Sequence, residues 1–275
     1  MRTITLDTAT LAYDDVGPDR GVPLLLVHGH PFDRSMWHPQ LQHFSAERRV
    51  IVPDLRGYGA SPGAVPDWAA FADDLDGLLD GLRIPRAVVA GLSMGGQIAL
   101  ELQRRQPSRV AGLLLADTTA AAEPARAARL AMADRLLAEG MDPYAVEMLY
   151  RMVTTRAPAA VADHVLAMMR GTDPAGAAAA QRARAERPDH LPRLRSVAVP
   201  TVVVVGAEDN LTPVSDARTI AGLVPDAELV IVEDAAHLPN LEQPVAFNGV
   251  MSRLLAQVDR GGDRSATSTD WLPAE

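Results

Sequence analysis

The chain has 275 residues, of which 48% are hydrophobic and 22% are charged, a composition typical of one or two globular domains. Its net charge is −9 and its 26 basic residues are all arginines without a positively charged run, so we expect no nucleic-acid partner and no binding to an anionic membrane. The lack of cysteine excludes disulfides and cysteine-ligated metals, and the lack of lysine excludes a Schiff-base lysine.

The N-terminus has no apolar stretch of the kind found in secretory signals. The longest apolar runs, Leu24–Val27 and Val202–Val205, are far shorter than the roughly 20 residues needed to span a bilayer. The sequence therefore predicts a cytoplasmic protein.

Short β-branched runs alternate with helical patterns along the chain. Six runs are almost continuously apolar, which is typical of parallel strands covered on both faces. These runs are Val22–His28, Val50–Pro53, Ala87–Gly91, Val110–Ala116, Thr201–Gly206 and Leu229–Val232. Thr3–Leu6 and Leu11–Asp14 are interpreted as an antiparallel pair that precedes them. The alternation predicts an α/β fold with a mostly parallel sheet.

The clearest amphipathic helix is predicted at Asp67–Leu82. Its polar face carries four aspartates, at positions 73, 74, 76 and 80. A row of acids on one helix face can hold a metal, but it is more often a solvated surface, and we interpret it as such.

The strand pattern stops for some 75 residues after the fourth of the six runs. We interpret residues 118–192 as a helical lid over the sheet, inserted between two parts of the α/β core at 1–117 and 193–260. Asp142-Pro143 and Asp173-Pro174 are each interpreted as a helix N-cap followed by proline in the first turn. A Ser-, Thr- and Gly-containing tail at 261–275 is predicted to be disordered.

The predicted lid is rich in methionine, a flexible apolar side chain. Six of the ten methionines of the chain lie in it: Met132, Met141, Met148, Met152, Met168 and Met169. They either line an adaptable apolar pocket or form an ordinary helix–helix core.

The sharpest local motif is Gly91-Leu92-Ser93-Met94-Gly95, which lies between a predicted strand and a predicted helix. A serine on such a tight turn needs small residues two positions to either side, because a side chain there would meet neighbouring backbone. The turn lifts the hydroxyl clear of the sheet and points a helix N-terminus at the group that the serine attacks. Ser93 is therefore the candidate nucleophile.

A serine hydroxyl needs a general base, and the base needs an acid to orient it. His237 lies on the loop after the last predicted strand, from which an imidazole can reach the serine. Asp209 follows the neighbouring strand and is the favoured acid, while Asp117, after the strand ending at Ala116, is the alternative. The chain order Ser93, Asp209, His237 is that of α/β-hydrolases.

Hydrolysis through an acyl-enzyme also requires donors for the developing oxyanion. The backbone N–H of Met94, at the helix N-terminus, is one candidate. The other is the backbone N–H of His30, in the loop after the first parallel strand. Phe32 and Trp37 flank this loop and either contact the substrate or pack in the core.

Taken together, these motifs resemble the α/β-hydrolase superfamily, in the lid-bearing branch of 3-oxoadipate enol-lactonases, small carboxylesterases and cofactor-free haloperoxidases. The matching segments are His28-Gly29-His30-Pro31, Ser35-Met36-Trp37, Asp54–Ser61, Gly91–Gly96, Gly206–Asp209 and His237–Asn240. The resemblance implies an eight-stranded α/β-hydrolase fold, a Ser93-His237-Asp209 triad and an oxyanion hole formed by His30 and Met94. Within Asp54–Ser61 we expect an Asp54–Arg56 pair that holds a turn.

These residues predict a serine hydrolase that cleaves a small carboxylic ester or lactone through an acyl-enzyme. A cofactor-free perhydrolase or haloperoxidase and a carbon–carbon bond hydrolase use the same triad and stay open as alternatives. A non-catalytic ligand-binding receptor of the same fold is the alternative from another class. No cofactor or metal is expected, because no histidines recur at helical i, i+4 spacing and no acidic loop has calcium spacing.

Overall fold

In the computed structural model, which describes residues 1–266, eight strands form a single sheet. The strands are β1 (Arg2–Thr5), β2 (Thr10–Val16), β3 (Leu24–Val27), β4 (Val50–Pro53), β5 (Ala87–Leu92), β6 (Val110–Ala116), β7 (Thr201–Gly206) and β8 (Glu228–Val232). Their order across the sheet is β1-β2-β4-β3-β5-β6-β7-β8. β2 pairs antiparallel with both β1 and β4, and β3 to β8 are parallel. The predicted mostly parallel, eight-stranded sheet is confirmed.

Within the described residues, ten α-helices surround this sheet. They are α1 (His38–Phe44), α2 (Ala69–Gly81), α3 (Met94–Arg105), α4 (Arg126–Glu139), α5 (Met141–Met152), α6 (Ala159–Gly171), α7 (Pro174–Ala185), α8 (Val214–Leu223), α9 (Pro239–Glu242) and α10 (Pro244–Ala266). Short 3-10 turns lie at Arg34–Trp37, Pro107–Arg109 and Leu191–Ser196. In the part of the chain described, none of these helices combines the length and apolarity that a membrane crossing requires.

Every residue of β3, β5, β6 and β7 is buried, because helices cover both faces of the sheet. One hydrophobic core lies against α2, α3 and α8, and the other lies against α1 and α10 and extends into the helices between β6 and β7. This double covering explains why these strands appear in the sequence as continuous apolar runs rather than as alternating patterns.

One aspartate of α2 departs from the predicted solvated face. Asp73 and Asp80 are exposed, but Asp74 is buried and accepts a hydrogen bond from Arg56 Nε at 2.9 Å. The expected Asp54–Arg56 pair is therefore wrong. Asp54 instead accepts the backbone N–H of Arg34 at 2.7 Å and that of Ala60 at 2.8 Å.

The direction of chain progression across the sheet reverses at β3. From β3 the chain first adds β4 on one side and then β5 on the other. The loops that leave β3 and β5 therefore diverge and leave a crevice at the carboxyl ends of the strands, which is where open α/β sheets bind ligands.

Between β6 and β7 the chain forms α4 to α7, in which α4 packs on α7 and α5 packs on α6. As predicted, Asp173 caps α7: its Oδ1 accepts the Ala175 N–H at 3.2 Å. Asp142 is not a cap, because α5 begins one residue earlier, at Met141. Gly140 is the single residue between α4 and α5. Its φ of +75° is a conformation that glycine adopts without a steric penalty.

The C-terminal helix extends further than the sequence suggests. The tail predicted to be disordered begins at residue 261, but α10 continues to Ala266. The rest of that predicted tail lies outside the described residues.

Candidate active site

Ser93 lies on the tight turn between β5 and α3, at the crevice described above. Its backbone has φ of +55° and ψ of −118°, a strained conformation for a residue with a side chain. A Cβ on Gly91 would lie 2.2 Å from the carbonyl oxygen of Gly95, and a Cβ on Gly95 would lie 2.1 Å from that of Val27. Both flanking glycines are therefore required, which is the physical reason for the spacing in the sequence.

His237, on the loop between β8 and α9, is hydrogen-bonded to Asp209. The distance from His237 Nδ1 to Asp209 Oδ2 is 2.8 Å, and both residues are buried. Asp209 also accepts the backbone N–H groups of Leu211 and Thr212 and the Thr212 hydroxyl, the last at 2.6 Å. The carboxylate is therefore held in one orientation, with an oxygen facing the imidazole.

The surroundings of Asp209 keep it ionised. Burial by itself raises the pKa of this carboxyl, but the interaction with His237 and the hydrogen bonds from Thr212 and Leu211 outweigh burial and lower the pKa below its ordinary value. A carboxylate held in this way stabilises the positive charge that a histidine base acquires.

Asp117, the alternative acid, is buried behind Asp209. Its Oδ1 accepts the Gly206 N–H at 2.8 Å, and its Oδ2 has no hydrogen-bond partner among the described residues. Burial and the nearby charge of Asp209 raise the pKa of Asp117 well above its ordinary value, which favours its neutral form. The structure thus distinguishes the two candidates: Asp209 contacts the imidazole and Asp117 does not.

Ser93 and His237 line the same cavity, which has a volume of about 310 Å³. No hydrogen bond joins the Ser93 hydroxyl to His237 in this structure. Catalytic hydrogen bonds in free enzymes are often long and shorten when substrate binds. Tyr144, Met148 and Met152 of α5 line the other side of the cavity, so the helices between β6 and β7 form its roof.

His30 also lines this cavity, and its side chain is locked in place. Its Nδ1 lies 2.7 Å from the Tyr58 hydroxyl, and the Gln181 amide donates to its Nε2 at 2.9 Å. Burial and then the charges of Arg184 and Arg129 lower the pKa of His30 well below its ordinary value, so the ring is neutral. These bonds fix the loop that carries the His30 backbone N–H.

The backbone N–H groups of His30 and Met94 donate to no carbonyl among the described residues. For Met94 this follows from its place at the start of α3, where the first N–H groups of a helix have no partner within the helix. Both N–H groups are therefore available to donate hydrogen bonds to an oxyanion.

A family model described as the alpha/beta hydrolase family matches residues 24–250. The chain belongs to the α/β-hydrolase family. Among its relatives, 3-oxoadipate enol-lactonase 2 of Acinetobacter baylyi is 30% identical over 264 residues, which cover 92% of this chain and 96% of the relative.

Solved structures of two relatives share the fold. A thermophilic esterase from Thermogutta terrifontis, described as malate bound, is 37% identical with a TM-score of 0.89, and the match covers 94% of this α/β-hydrolase and 100% of the esterase. The enol-lactonase from Burkholderia xenovorans LB400 is 28% identical with a TM-score of 0.84, and the match covers 93% and 100% of the two chains. These relatives support hydrolase activity for the present chain.

Phe32 and Trp37, the candidate substrate contacts, do not line the cavity of this α/β-hydrolase. Both side chains are fully buried in the hydrophobic core, and the Trp37 ring lies 5.9 Å from that of Phe247. Of the two roles that the sequence left open for these residues, the structure shows core packing, because the chain turns into the core directly after the oxyanion loop.

The methionines divide between the two roles left open. Met148 and Met152 belong to the core and also line the cavity, whereas Met141, Met168 and Met169 are buried in the core alone and Met132 packs against it. Helical periodicity by itself does not distinguish a face that packs on a helix from a face that borders a cavity.

Several polar residues of this cavity were not anticipated from the sequence. They are Gln97, Glu123, Arg129, Arg184 and Arg187. No local motif marks them, since the arginines and acids of residues 118–192 are equal in number and only the tertiary structure shows which of them face inward.

Among the described residues, one group of side chains has the composition of a metal site: Asp117, Asp209 and His237, whose ligand atoms lie within 4.8 Å of one another. His237 Nδ1 and Asp209 Oδ2 are already joined by the 2.8 Å hydrogen bond. A ring nitrogen that donates a proton to a carboxylate has no lone pair for a metal, so this group fits a triad better than a cation site.

Proposed function

We propose that the protein is a serine hydrolase that cleaves a small carboxylic ester or lactone. The Ser93 oxygen attacks the carbonyl carbon while His237 Nε2 takes the hydroxyl proton. His237 then returns this proton to the leaving alkoxide, which departs as an alcohol, and an acyl group remains on Ser93. Water attacks the acyl-enzyme with His237 again as base, and the products are a carboxylic acid and the free serine.

One observation carries this proposal. His237 has its Nδ1 bonded to the ionised Asp209 at 2.8 Å and borders the same cavity as Ser93, which occupies a strained turn at a helix N-terminus. A proton on Nδ1 leaves Nε2 as the basic nitrogen, which is the form of imidazole that accepts a proton from serine.

The oxyanion of the tetrahedral intermediate is proposed to accept the backbone N–H groups of His30 and Met94. The first donor belongs to a loop that the bonds of its own imidazole hold in place, and the second lies at the positive end of α3. Preorganised donors of this kind contribute about 3 to 4 kcal/mol each to transition-state stabilisation.

The helical insertion, residues 118–192, is proposed to act as a lid. Side chains from α4, α5 and α7 cover the cavity above Ser93. A cavity of about 310 Å³ limits the substrate to a small molecule.

The test is hydrolysis of a short 4-nitrophenyl ester by Ser93→Ala, with Ser196→Ala, an exposed serine on a 3-10 turn, as the matched control. We expect Ser93→Ala to lower kcat by several orders of magnitude and Ser196→Ala to leave it unchanged. A fluorophosphonate should add its mass to the wild type but not to Ser93→Ala.

Near wild-type activity of Ser93→Ala would contradict the proposed nucleophile. Absence of labelling and of hydrolysis in the wild type would favour a non-catalytic receptor. With labelling established, two assays distinguish ester hydrolysis from perhydrolase chemistry. One measures hydrolysis of a panel of esters and lactones, and the other measures peracid formation from acetate and hydrogen peroxide.

A further inference from the structure

Arg184 in α7 is a buried cation that lines the cavity. Its exposed fraction is only 7%, and among the described residues it pairs with no carboxylate. Its Nε is completely buried and has no hydrogen-bond partner. An isolated buried charge is costly, so its retention at this place calls for a compensating anion.

The neighbouring charges do not compensate Arg184. Glu123 lines the same cavity, but it is already shared by two other arginines: Arg129 Nε lies 2.9 Å from it and Arg187 Nη1 lies 3.5 Å from it. Glu123 therefore already balances two arginines, and Arg184 is not among its ion-pair partners in the described residues. Asp216, the other acid that lines the cavity, forms no ion pair with Arg184, and burial raises its pKa.

The aromatic neighbours of Arg184 do not supply a negative charge either. Burial raises the pKa of both Tyr58 and Tyr144, so both hydroxyls stay neutral at physiological pH. Burial, together with the charges of Arg129 and Arg187, lowers the pKa of Arg184 to about 9, which still leaves the guanidinium charged near neutrality.

Arg184 lies in the same cavity as Ser93, the proposed nucleophile. Gln181 lies one helical turn before it in α7 and donates to His30, the residue whose backbone N–H is assigned to the oxyanion. Arg184 and Ser93 border the same cavity. One small molecule can therefore present its carbonyl to Ser93 and a second group to Arg184.

We propose that the substrate carries a carboxylate in addition to the ester or lactone, and that Arg184 binds this carboxylate. The planar guanidinium matches a carboxylate in both charge and geometry. The inference rests on the proposed serine-hydrolase function for the reacting group, but on different residues for recognition. An enzyme with this carboxylate site should prefer hemiesters of small dicarboxylic acids to neutral esters of the same length.

The first test compares monomethyl succinate, glutarate and adipate, each with its neutral isostere in which an amide replaces the free carboxylate. For the best chain length, wild-type kcat/KM should be at least tenfold higher for the anion. Arg184→Gln should lower kcat/KM for the anion at least tenfold more than it lowers kcat/KM for the neutral ester. Arg182→Gln is the matched control, because Arg182 lies on the same helix but is exposed and pairs with Asp134 at 2.8 Å.

The second test measures binding without catalysis. Titration calorimetry should show that the wild type and Arg182→Gln bind the dicarboxylate of the best chain length and not the corresponding diamide. Arg184→Gln should bind the dicarboxylate at least tenfold more weakly. If this variant does not fold, the wild-type preference for dicarboxylate over diamide still tests the proposal.

The two proposals fail in different ways. If Ser93 is labelled but no chain length shows a preference for the anion, or if Arg184→Gln keeps the preference, the carboxylate site is overturned and the serine hydrolase stands. If dicarboxylates bind through Arg184 while Ser93→Ala hydrolyses esters normally, the carboxylate site stands and the proposed nucleophile fails.

Discussion

Two buried aspartates lie near His237, and substituting each by asparagine separates their roles. In Asp209→Asn the single remaining oxygen can keep the N–H groups of Leu211 and Thr212, so the new amide faces His237 Nδ1. Two donors then oppose each other, and the imidazole relieves this by moving its proton to Nε2. In that tautomer the ring has no lone pair for the proton of Ser93.

The expected loss follows from this change of tautomer and from the loss of the negative charge. The equivalent substitution in the general Ser-His-Asp template lowers kcat by about 10⁴. We therefore expect Asp209→Asn to lower kcat by about 10³- to 10⁴-fold, or about 4 to 5.5 kcal/mol of transition-state stabilisation. The Asn side chain has nearly the same volume, so the variant should fold.

Asp117→Asn should behave in the opposite way. Asn can still accept the Gly206 N–H, and no contact with His237 is lost, so kcat should stay within a few-fold of wild type. Because burial and then the charge of Asp209 raise the pKa of Asp117, we expect the folded protein to retain a proton on Asp117 that the unfolded chain releases near pH 4.

The sign of the stability effect follows by linkage. As pH rises above the unfolded pKa, the wild type loses about 1.4 kcal/mol of unfolding free energy per pH unit until the folded pKa is reached. The Asn variant does not titrate and escapes this loss. The advantage of Asp117→Asn over wild type should therefore grow from pH 5 to pH 7.

The assay combines steady-state hydrolysis of a 4-nitrophenyl ester with urea unfolding of the three proteins at pH 5, 6 and 7. Subtracting the wild-type unfolding free energy from that of each variant at each pH removes the contribution of the titrating groups that the proteins share. A loss of activity in Asp117→Asn as large as that in Asp209→Asn would refute the assigned acid. Unfolding free energies that stay parallel across the pH range would refute a protonated Asp117.

Two further substitutions test the packing around the site. Gly95→Ala places a Cβ 2.1 Å from the Val27 carbonyl oxygen and should destabilise by about 3 kcal/mol or more in urea unfolding, whereas Gly249→Ala, on α10 with open space around it, should be neutral or stabilise by up to about 1 kcal/mol. Equal stability of the two alanine variants would contradict the close contact between Gly95 and the Val27 carbonyl oxygen. Trp37→Ala should cost about 3 to 5 kcal/mol by removing packing against Phe247, while kcat/KM of the folded variant stays within a few-fold. A selective rise in KM without loss of stability would restore Trp37 as a substrate contact.

Much of the fold could be predicted because its signals are local. Strands buried on both faces must be apolar throughout, and β3, β5, β6 and β7 are recognisable in the sequence for that reason. The turn at Ser93 is equally local, since the clashes that exclude side chains at Gly91 and Gly95 arise within one strand-to-helix connection or with the strand beside it.

Errors arose where a residue's surroundings come from distant parts of the chain. The aspartates of α2 look alike in the sequence, yet Asp74 is buried because Arg56 reaches it from a loop 18 positions away. For Phe32 and Trp37 the sequence left two roles open, and only the structure shows that their side chains pack in the core.

By itself, the sequence determined the parallel α/β sheet, the position of the strained serine and the chain order of the three triad candidates, because strand burial and a tight turn restrict residues that are neighbours along the chain. Only the tertiary structure decided that Asp209 rather than Asp117 contacts His237, and that Arg184 alone among the cavity arginines pairs with no acid in the described residues. Both outcomes depend on distances of a few ångströms between segments far apart in the chain. Composition and spacing do not encode such distances, whereas electrostatics in a buried site depends on them directly.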